Sequence, residues 1–207
     1  MSPFIGNVFK MTLMILTALC FFSSFTYAAD SSSWELRINE NKVSVYTQQV
    51  KGSSIARFKA ETLIDADYEA VKQAILDYPS YPLWYENYKS GRIVELQDNE
   101  TLLVRFVINA PFPIKDRDSV NQVYVEQTDD FIKVRLESRP NMMPHSKKHV
   151  RMSVSSGLWE LVKTGDQTKV TLIYHADPEI PMPAWIANRY VIAGPANSLR
   201  NLKKRIE

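Results

Sequence analysis

The sequence predicts an α+β domain in which a curved antiparallel β-sheet wraps around a long C-terminal helix. Many short segments between residues 43 and 176 alternate apolar with charged side chains, a period of two that is typical of strands with one buried face. Turn residues separate most of these segments, which favours antiparallel pairing. The segment from Ala184 to Ile206 has helical spacing instead, and a long terminal helix would cover the apolar side of the sheet.

The N-terminal segment differs in kind from the rest of the chain. Lys10 precedes an uncharged apolar run, Met11 to Phe22, and small and polar residues follow it up to Ala28. This run has the length of a signal-peptide core and is shorter than the about 20 residues that span a bilayer. We therefore expect residues 1–28 to be a signal peptide cleaved near Ala28, and residues 29–207 to be one periplasmic or secreted domain. An uncleaved N-terminal anchor is the alternative.

The composition excludes several classes of protein. Hydrophobic residues make up 45% and charged residues 23% of the 207 residues, which is an ordinary globular balance. A formal net charge of +2 lacks the basic excess that nucleic-acid binding requires, so we expect no nucleic-acid partner. The only cysteine, Cys20, lies in the expected signal peptide, and no glycine motif for a phosphate or a dinucleotide occurs. We expect a monomer without a cofactor.

The mature part of the chain contains strand patterns, one short helix and then more strand patterns. The first two strand patterns cover residues 43–48 and 56–61. A helical segment runs from Tyr68 to Leu76, capped by Asp65 or Asp67, and a proline-rich and aromatic stretch to Tyr88 is expected to be irregular or briefly helical. The later strand patterns cover residues 92–97, 102–109, 120–127, 132–137, 150–154, 159–161 and 168–176.

Gly194-Pro195 interrupts the C-terminal helical segment. Proline removes a backbone hydrogen bond and clashes with the preceding turn, so we expect a kink or a break at this point. Beyond it, Leu199, Leu202 and Ile206 keep the spacing of a buried helical face. Such a bend is either a fixed curvature that fits the helix to the sheet or a hinge that admits a ligand.

Three stretches of the chain carry motifs of a known family. Residues 111–118 are proline-rich and end in an Arg-Asp pair, residues 177–188 contain Asp-Pro, Pro-x-Trp and Asn, and residues 198–205 form a basic closing helix. In this order and spacing they resemble the START domains, named for steroidogenic acute regulatory protein related lipid transfer. The resemblance runs from about Trp34 to Ile206. It implies a helix-grip fold with an internal apolar cavity for a lipid, a sterol or a similar molecule, and binding without covalent chemistry.

Strand alternation predicts which side chains line that cavity. The predicted site consists of inward-facing residues of the strands together with residues at the entry of the C-terminal helix. They are Phe58, Val104, Phe106, Ile108, Val134, Leu136, Met152, Leu172, Trp185, Ile186 and Tyr190. We expect them to bind one apolar ligand, and the aromatic mouth to make transient contact with a membrane surface, where Trp and Tyr are favoured.

Asp116, Arg117 and Asp118 form the densest charge cluster near an apolar segment. They are either a polar handle at one end of the cavity or a structural ion pair, and in both cases their burial requires partners. His145 and His149 have a spacing that suits zinc on a helix, but two lysines lie between them. We therefore expect a solvated loop and no metal site there.

Two other functions stay open. An enzyme of the wider helix-grip superfamily would need a buried acid–base pair inside the cavity. A small interaction module would have a filled interior, whereas a carrier needs a cavity of roughly several hundred Å³.

Overall fold

The computed structural model describes residues 33–98, 100–178 and 183–207, which build one large β-sheet with helices against one of its faces. The predicted signal peptide, residues 1–28, lies outside the described residues. The strands are β1 (Glu35–Glu40), β2 (Val43–Gln48), β3 (Arg57–Ile64), β4 (Tyr88–Leu96), β5 (Thr101–Ile108), β6 (Arg117–Gln127), β7 (Phe131–Ser138), β8 (Val150–Arg151), β9 (Val154–Thr164) and β10 (Gln167–Asp177).

The strands follow the order β1-β2-β3-β10-β9-β7-β6-β5-β4, so β1 and β4 are the edges and the described sheet is not closed. The pairings along this order are antiparallel, and the short β8 pairs in parallel with β6. Both edge strands contain register shifts, and such bulges discourage pairing with another chain. The predicted α+β class, a large antiparallel sheet with a C-terminal helix, is confirmed.

Helix α1 (Tyr68–Leu76) begins after Asp67, whose carboxylate accepts a hydrogen bond from the backbone N–H of Glu69 at 2.8 Å. A 3-10 helix (Tyr78–Leu83) follows directly. The Tyr81 hydroxyl donates to the carbonyl of Ile75 at 2.7 Å, which joins the two helices inside the core. The proline-rich aromatic stretch is therefore ordered by its own buried side chains.

The C-terminal helical segment is continuous but changes its hydrogen bonding. It consists of α2 (Ala184–Asn188), a π turn (Arg189–Ala193) and α3 (Gly194–Ile206). Pro195 has no N–H, and in an α-helix its ring would clash with the carbonyl four residues before it. The backbone widens by one residue, so that the N–H of Gly194 bonds to the carbonyl of Arg189. The predicted kink or break takes the form of this π turn.

Helix α3 packs against β2 and β3 and fixes the aromatic segment in place. Its buried Ser198 hydroxyl accepts a hydrogen bond from the backbone N–H of Glu86 at 2.9 Å and donates to the carbonyl of Gly194 at 2.8 Å. The Asn201 side chain donates to the carbonyl of Trp84 at 3.1 Å. These bonds hold residues 84–86 against the helix.

Two strand predictions differ from the structure. The pattern at residues 150–154 predicts one strand, but β8 ends at Arg151 and β9 begins at Val154. The chain breaks there because β8 follows β6 in parallel, pairing Arg151 with Asp118, while β9 joins β7 and β10. Strand β1 is not among the predicted strands, because only Leu36 and Ile38 are apolar in it and all its side chains are exposed or only half-buried.

Candidate functional site

A mostly apolar cavity of about 120 Å³ lies between the sheet and the C-terminal helical segment. The sheet contributes Phe58 and Tyr174, and the segment before β4 contributes Tyr85. The loop between β5 and β6 and the helical segment α2 with its π turn form the other walls. The lining residues with charged or amide side chains are Glu86, Asn87, Asn109 and Arg117.

One hydrogen bond joins the two sides of the cavity mouth. The Tyr190 hydroxyl, on the π turn, donates to the carbonyl of Asn109 in the loop between β5 and β6 at 2.8 Å. Two large apolar side chains stand outside this closure: Phe112 of the same loop is 98% exposed, and Trp185 of α2 is 69% exposed. The Tyr190 side chain therefore spans the mouth, and exposed aromatic rings flank it.

Aromatic rings fill the interior beside the cavity. The Tyr81 ring centre lies 4.7 Å from that of Trp84 and 5.5 Å from that of Phe106. The Tyr88 ring lies 5.2 Å from Phe106 and 4.3 Å from Tyr85. Because these rings occupy the space, the cavity is smaller than the roughly several hundred Å³ expected of a carrier. That expectation is not met in this conformation.

The predicted cavity residues divide into two groups. Those that line the cavity are Phe58, Ile108, Met152, Ile186 and Tyr190. Those that are buried in the core and do not line it are Val104, Phe106, Val134, Leu136 and Leu172. Strand alternation assigned both groups to the inward face, but it says nothing of depth, and the second group packs within the filled part of the interior. The contact of the lining residues with a ligand stays a prediction.

Trp185 is placed differently from the prediction. It was expected to line the cavity together with Ile186 and Tyr190, but its side chain points into solvent. On a helix, neighbouring positions face directions about 100° apart, so Trp185 and Ile186 cannot share one narrow wall.

Arg117 places a buried positive charge on the cavity wall. Its side chain is 6% exposed, and its guanidinium donates to the carbonyl of Lys115 and, at 3.5 Å, to that of Pro178. Within the described residues it forms no ion pair with a carboxylate. Burial lowers the pKa of this guanidinium, and Tyr190 and Asp116 act in the opposite direction. An arginine still keeps its charge, so the wall of the cavity carries a buried cation.

Asp118 lies on the other face of β6, where it is fully buried between two arginines. Arg105 Nε lies 2.8 Å from Asp118 Oδ2, and Arg151 donates to both carboxylate oxygens at 3.0 Å. Arg151 also donates to the carbonyls of Pro140, Met143 and Pro144, which pins the loop before β8. Burial raises the pKa of Asp118, but the hydrogen bonds from Arg151 and Arg105 outweigh it and hold the pKa below its usual range. This residue has a structural role.

Asp116 closes the loop that leads to Arg117. Its carboxylate accepts hydrogen bonds from Lys89 Nζ at 2.6 Å and from the backbone N–H of Ala110 at 3.0 Å. The three residues of the predicted charge cluster thus have different surroundings. Arg117 lines the cavity, Asp118 belongs to a buried ion pair, and Asp116 holds the loop that leads to Arg117. Whether Arg117 acts as a polar handle stays a prediction.

The family model described as the START domain matches residues 25–207. The chain belongs to the START domain family. It is similar to a STAR-related lipid transfer protein fragment from Xanthomonas axonopodis, with 28% identity, a TM-score of 0.74, and coverage of 84% of this chain and 98% of the other. Human StAR-related lipid transfer protein 5 has a TM-score of 0.73 at 18% identity, covering 87% and 89%, which shows the shared fold. An uncharacterised protein of Pseudomonas aeruginosa is 28% identical over 179 residues, 86% of this chain and 88% of its own.

The wider likeness of this START domain includes an enzyme. The Zhui aromatase/cyclase from a Streptomyces species has a TM-score of 0.50 and 12% identity, covering 72% of this chain and 92% of the other. At that identity the likeness concerns the fold alone, so activity has to be argued from the site.

Three tyrosines outside the predicted site also line the cavity of this START domain: Tyr85, Tyr88 and Tyr174. Tyr85 and Tyr88 lie in or directly after the aromatic stretch, where the sequence leaves both a core and a lining position open. Tyr174 follows Leu172 at the spacing of one strand face, so alternation was sufficient to predict it. Burial raises the pKa of all three hydroxyls, which therefore stay protonated at neutral pH and act as hydrogen-bond donors.

The rest of the described START domain gives little sign of other sites. In the part of the chain that the structure describes, no three His, Cys, Asp or Glu side chains are grouped to hold a metal ion. His149 Nδ1 lies instead 3.1 Å from a guanidinium nitrogen of Arg105. None of the helices described is long and apolar enough to cross a membrane.

Proposed function

We propose that the protein binds and carries one apolar molecule whose polar end holds an oxygen acceptor, such as a carboxylate or a phosphate. The observation that carries this proposal is the Arg117 guanidinium, buried on the wall of an otherwise apolar cavity without a carboxylate partner among the described residues. A charge in that position is costly unless a partner binds it. Membership of the START family, known for lipid binding and transfer, supports the same reading.

Ligand entry in this proposal needs a conformational change. A cavity of about 120 Å³ accepts only part of a lipid-sized molecule, since ligand pockets measure roughly 300–1,000 Å³. The Tyr190–Asn109 hydrogen bond closes the mouth, and α2 carries Ile186 into the cavity. Movement of α2 about the π turn would open the mouth while α3 stays docked on β2 and β3, which is the hinge interpretation of Gly194-Pro195.

Binding without catalysis fits the lining residues better than an enzyme does. The tyrosine hydroxyls keep their protons and cannot act as bases at neutral pH. Arg117 is a permanent cation. Among the described lining residues the carboxylate is that of Glu86, and no Asp, His or Lys lines the cavity to pair with it. The bulged edge strands favour a monomeric carrier.

Replacing Arg117 by methionine is expected to weaken the binding of dodecanoate by about 10- to 100-fold, because a hydrogen bond to a charged group contributes about 1.5–3 kcal/mol. Displacement of a fluorescent fatty acid measures this loss on delipidated protein. Arg92→Met, an exposed arginine on β4, is the matched control and should bind like the wild type. Equal affinity of Arg117→Met and wild type for dodecanoate would refute the polar-handle role.

The exposed rings at the mouth support a further part of the proposal, a transient contact with an anionic membrane. Phe112 and Trp185 flank the cavity opening, and exposed Lys115 and Arg189 lie close to them in sequence. Aromatic rings favour the membrane interface and basic residues favour anionic lipid. Phe112→Ser with Trp185→Ser should lower partitioning onto vesicles of mixed phosphatidylglycerol and phosphatidylcholine by about tenfold or more. Leu96→Ser, a substitution of an apolar residue on β4 that is 67% exposed, should leave partitioning unchanged.

The location of this carrier is proposed from its N-terminal sequence. An uncharged run of signal-peptide length ending in small residues supports export and cleavage near Ala28. An intact Met1 terminus on membrane-embedded protein would replace the free carrier by a tethered one.

A further inference from the structure

Strand β6 continues its inward face beyond Arg117 with two further polar residues, Ser119 and Asn121. Both side chains are fully buried. They pair across the sheet with Phe106 and Val104, which are core residues, so they face the apolar interior. Three polar side chains at alternate positions of one buried strand face are unusual, since such a face is ordinarily apolar.

Two polar atoms of this face have no hydrogen-bond partner among the residues that the structure describes: Ser119 Oγ and Asn121 Oδ1. The side-chain amide of Asn121 cannot be flipped by 180° to exchange its oxygen and nitrogen. Its Nδ2 donates to the carbonyl of Ser155, and rotating the amide would bring two oxygens together there. The acceptor Oδ1 therefore stays unsatisfied, at a cost that protein folding alone rarely leaves in place.

The same face is connected to the cavity through Ser155. The Ser155 carbonyl accepts a hydrogen bond from the Asn121 amide, and the Ser155 hydroxyl lies 2.5 Å from that of Tyr174. Tyr88 and Tyr174 line the cavity. On its other side the Tyr88 ring contacts Phe106, the cross-strand neighbour of Ser119. A displaced Tyr88 ring would therefore extend the cavity toward Ser119 and Asn121.

We propose that Ser119 and Asn121 form an inner subsite that receives a hydroxyl group on the apolar body of the ligand. This inference rests on the proposed carrier function and specifies its ligand as an amphipathic molecule with two polar points. Asn121 Oδ1 accepts the hydroxyl proton, and Ser119 Oγ donates to the hydroxyl oxygen. At about 3.3 Å per residue, the two side chains stand about 7 and 13 Å along β6 from Arg117, which sets the separation of the two polar groups.

The test compares pairs of acids that differ by one terminal hydroxyl, using decanoate and dodecanoate with their ω-hydroxy forms. Displacement of a fluorescent fatty acid gives each affinity. We expect the wild type to bind one of the ω-hydroxy acids about tenfold more tightly than its parent acid. In Ser119→Ala with Asn121→Leu this ratio should fall to about one, while the affinity for the parent acids is retained.

The single variant Ser119→Ala provides a second readout. Removing a hydroxyl that has no partner should leave the melting temperature of the ligand-free protein equal or higher, and should lower the hydroxyl preference. A fall of several degrees in melting temperature would show that the hydroxyl is bonded within the protein and overturn the subsite.

The remaining outcomes separate the two proposals. One such outcome is that the wild type binds each ω-hydroxy acid with the same affinity as its parent acid. This result would mean that a buried water satisfies Ser119 Oγ and Asn121 Oδ1, and it would overturn the subsite while the carrier function stands. A preference that persists in the double variant would overturn it equally. Failure of every acid to bind would count against the anionic ligand of the proposed function, and the subsite would fall with it.

Discussion

Asp118→Asn is expected to destabilise the protein by about 3–5 kcal/mol, because it leaves the Arg105 and Arg151 guanidinium groups buried without their counter-charge. The carboxylate is fully buried, and the Arg151 side chain is 2% exposed, so water cannot replace it. Arg151 also holds the loop before β8, which should loosen together with the ion pair. Urea unfolding measures the loss.

Asp130→Asn is the matched control for this substitution. Asp130 pairs with Lys163 at 3.6 Å, and its side chain is 73% exposed. Exposed pairs of this kind contribute little, so the unfolding midpoint should not change measurably. A similar effect of the two substitutions would contradict the structural role of Asp118.

The same ion pair sets part of the acid limit of the fold. Because the pKa of Asp118 is lower in the folded protein than in the unfolded chain, its stabilisation is complete above the unfolded-state pKa of about 3.9. The stabilisation is lost as the pH falls from there through the folded-state pKa. Below about pH 4, the free energy of unfolding should therefore decrease less steeply with falling pH in Asp118→Asn than in the wild type. Urea unfolding at a series of pH values measures this.

Gly157→Ala is expected to destabilise the protein by about 3 kcal/mol through overpacking. A Cβ at this position of β9 would lie 2.1 Å from Tyr174 Cδ2 and 2.8 Å from the carbonyl oxygen of Ile173. The Tyr174 ring, which extends from β10, would have to move away from Gly157 on β9, and its hydrogen bond with Ser155 would break. Since Tyr174 lines the cavity, the affinity for dodecanoate should change together with stability.

A double-mutant cycle isolates the contribution of the Tyr174 ring to the destabilisation. In a Tyr174→Ala background the ring contact is already absent, so Gly157→Ala should cost about half as much or less. The remaining cost comes from the Ile173 carbonyl, which the background does not move. Strictly additive costs would mean that the Tyr174 ring does not rest on Gly157.

The elements of the fold were predictable where one periodic face is buried. Helix α1 begins and ends at the residues that its spacing predicts, and Asp67 caps it because its side chain reaches the Glu69 N–H. Strand β1 was not predictable in this way, because its residues are exposed or half-buried and only two of them, Leu36 and Ile38, are apolar. The break after Arg151 depends on a pairing with β6 that is distant in sequence.

The sequence predicts on which face of the sheet a side chain of the site lies. It does not predict whether that side chain lines the cavity or packs in the core. Alternation places Phe106 on the inward face, but only the packing of Tyr81 and Tyr88 around it shows that it is core. Arg117 and Asp118 form one motif in the sequence, and their adjacency on a strand sends them to opposite faces of the sheet. The burial of Asp118 needs a loop from residues 140–144, which no local pattern predicts.

The π turn before α3 also bears on how the length of this chain can vary. A turn with i→i+5 bonding holds one residue more than an α-helical turn, so the segment Arg189–Ala193 is equivalent to an α-helix with a single inserted residue. Deleting one residue there, with Pro195 replaced, would give an unbroken helix whose two halves keep their facing sides. A homologue shorter by one residue at this place would thus present the same side chains to its cavity from a straight helix. Any sequence in which a residue with an N–H replaces Pro195 loses the physical reason for the extra residue.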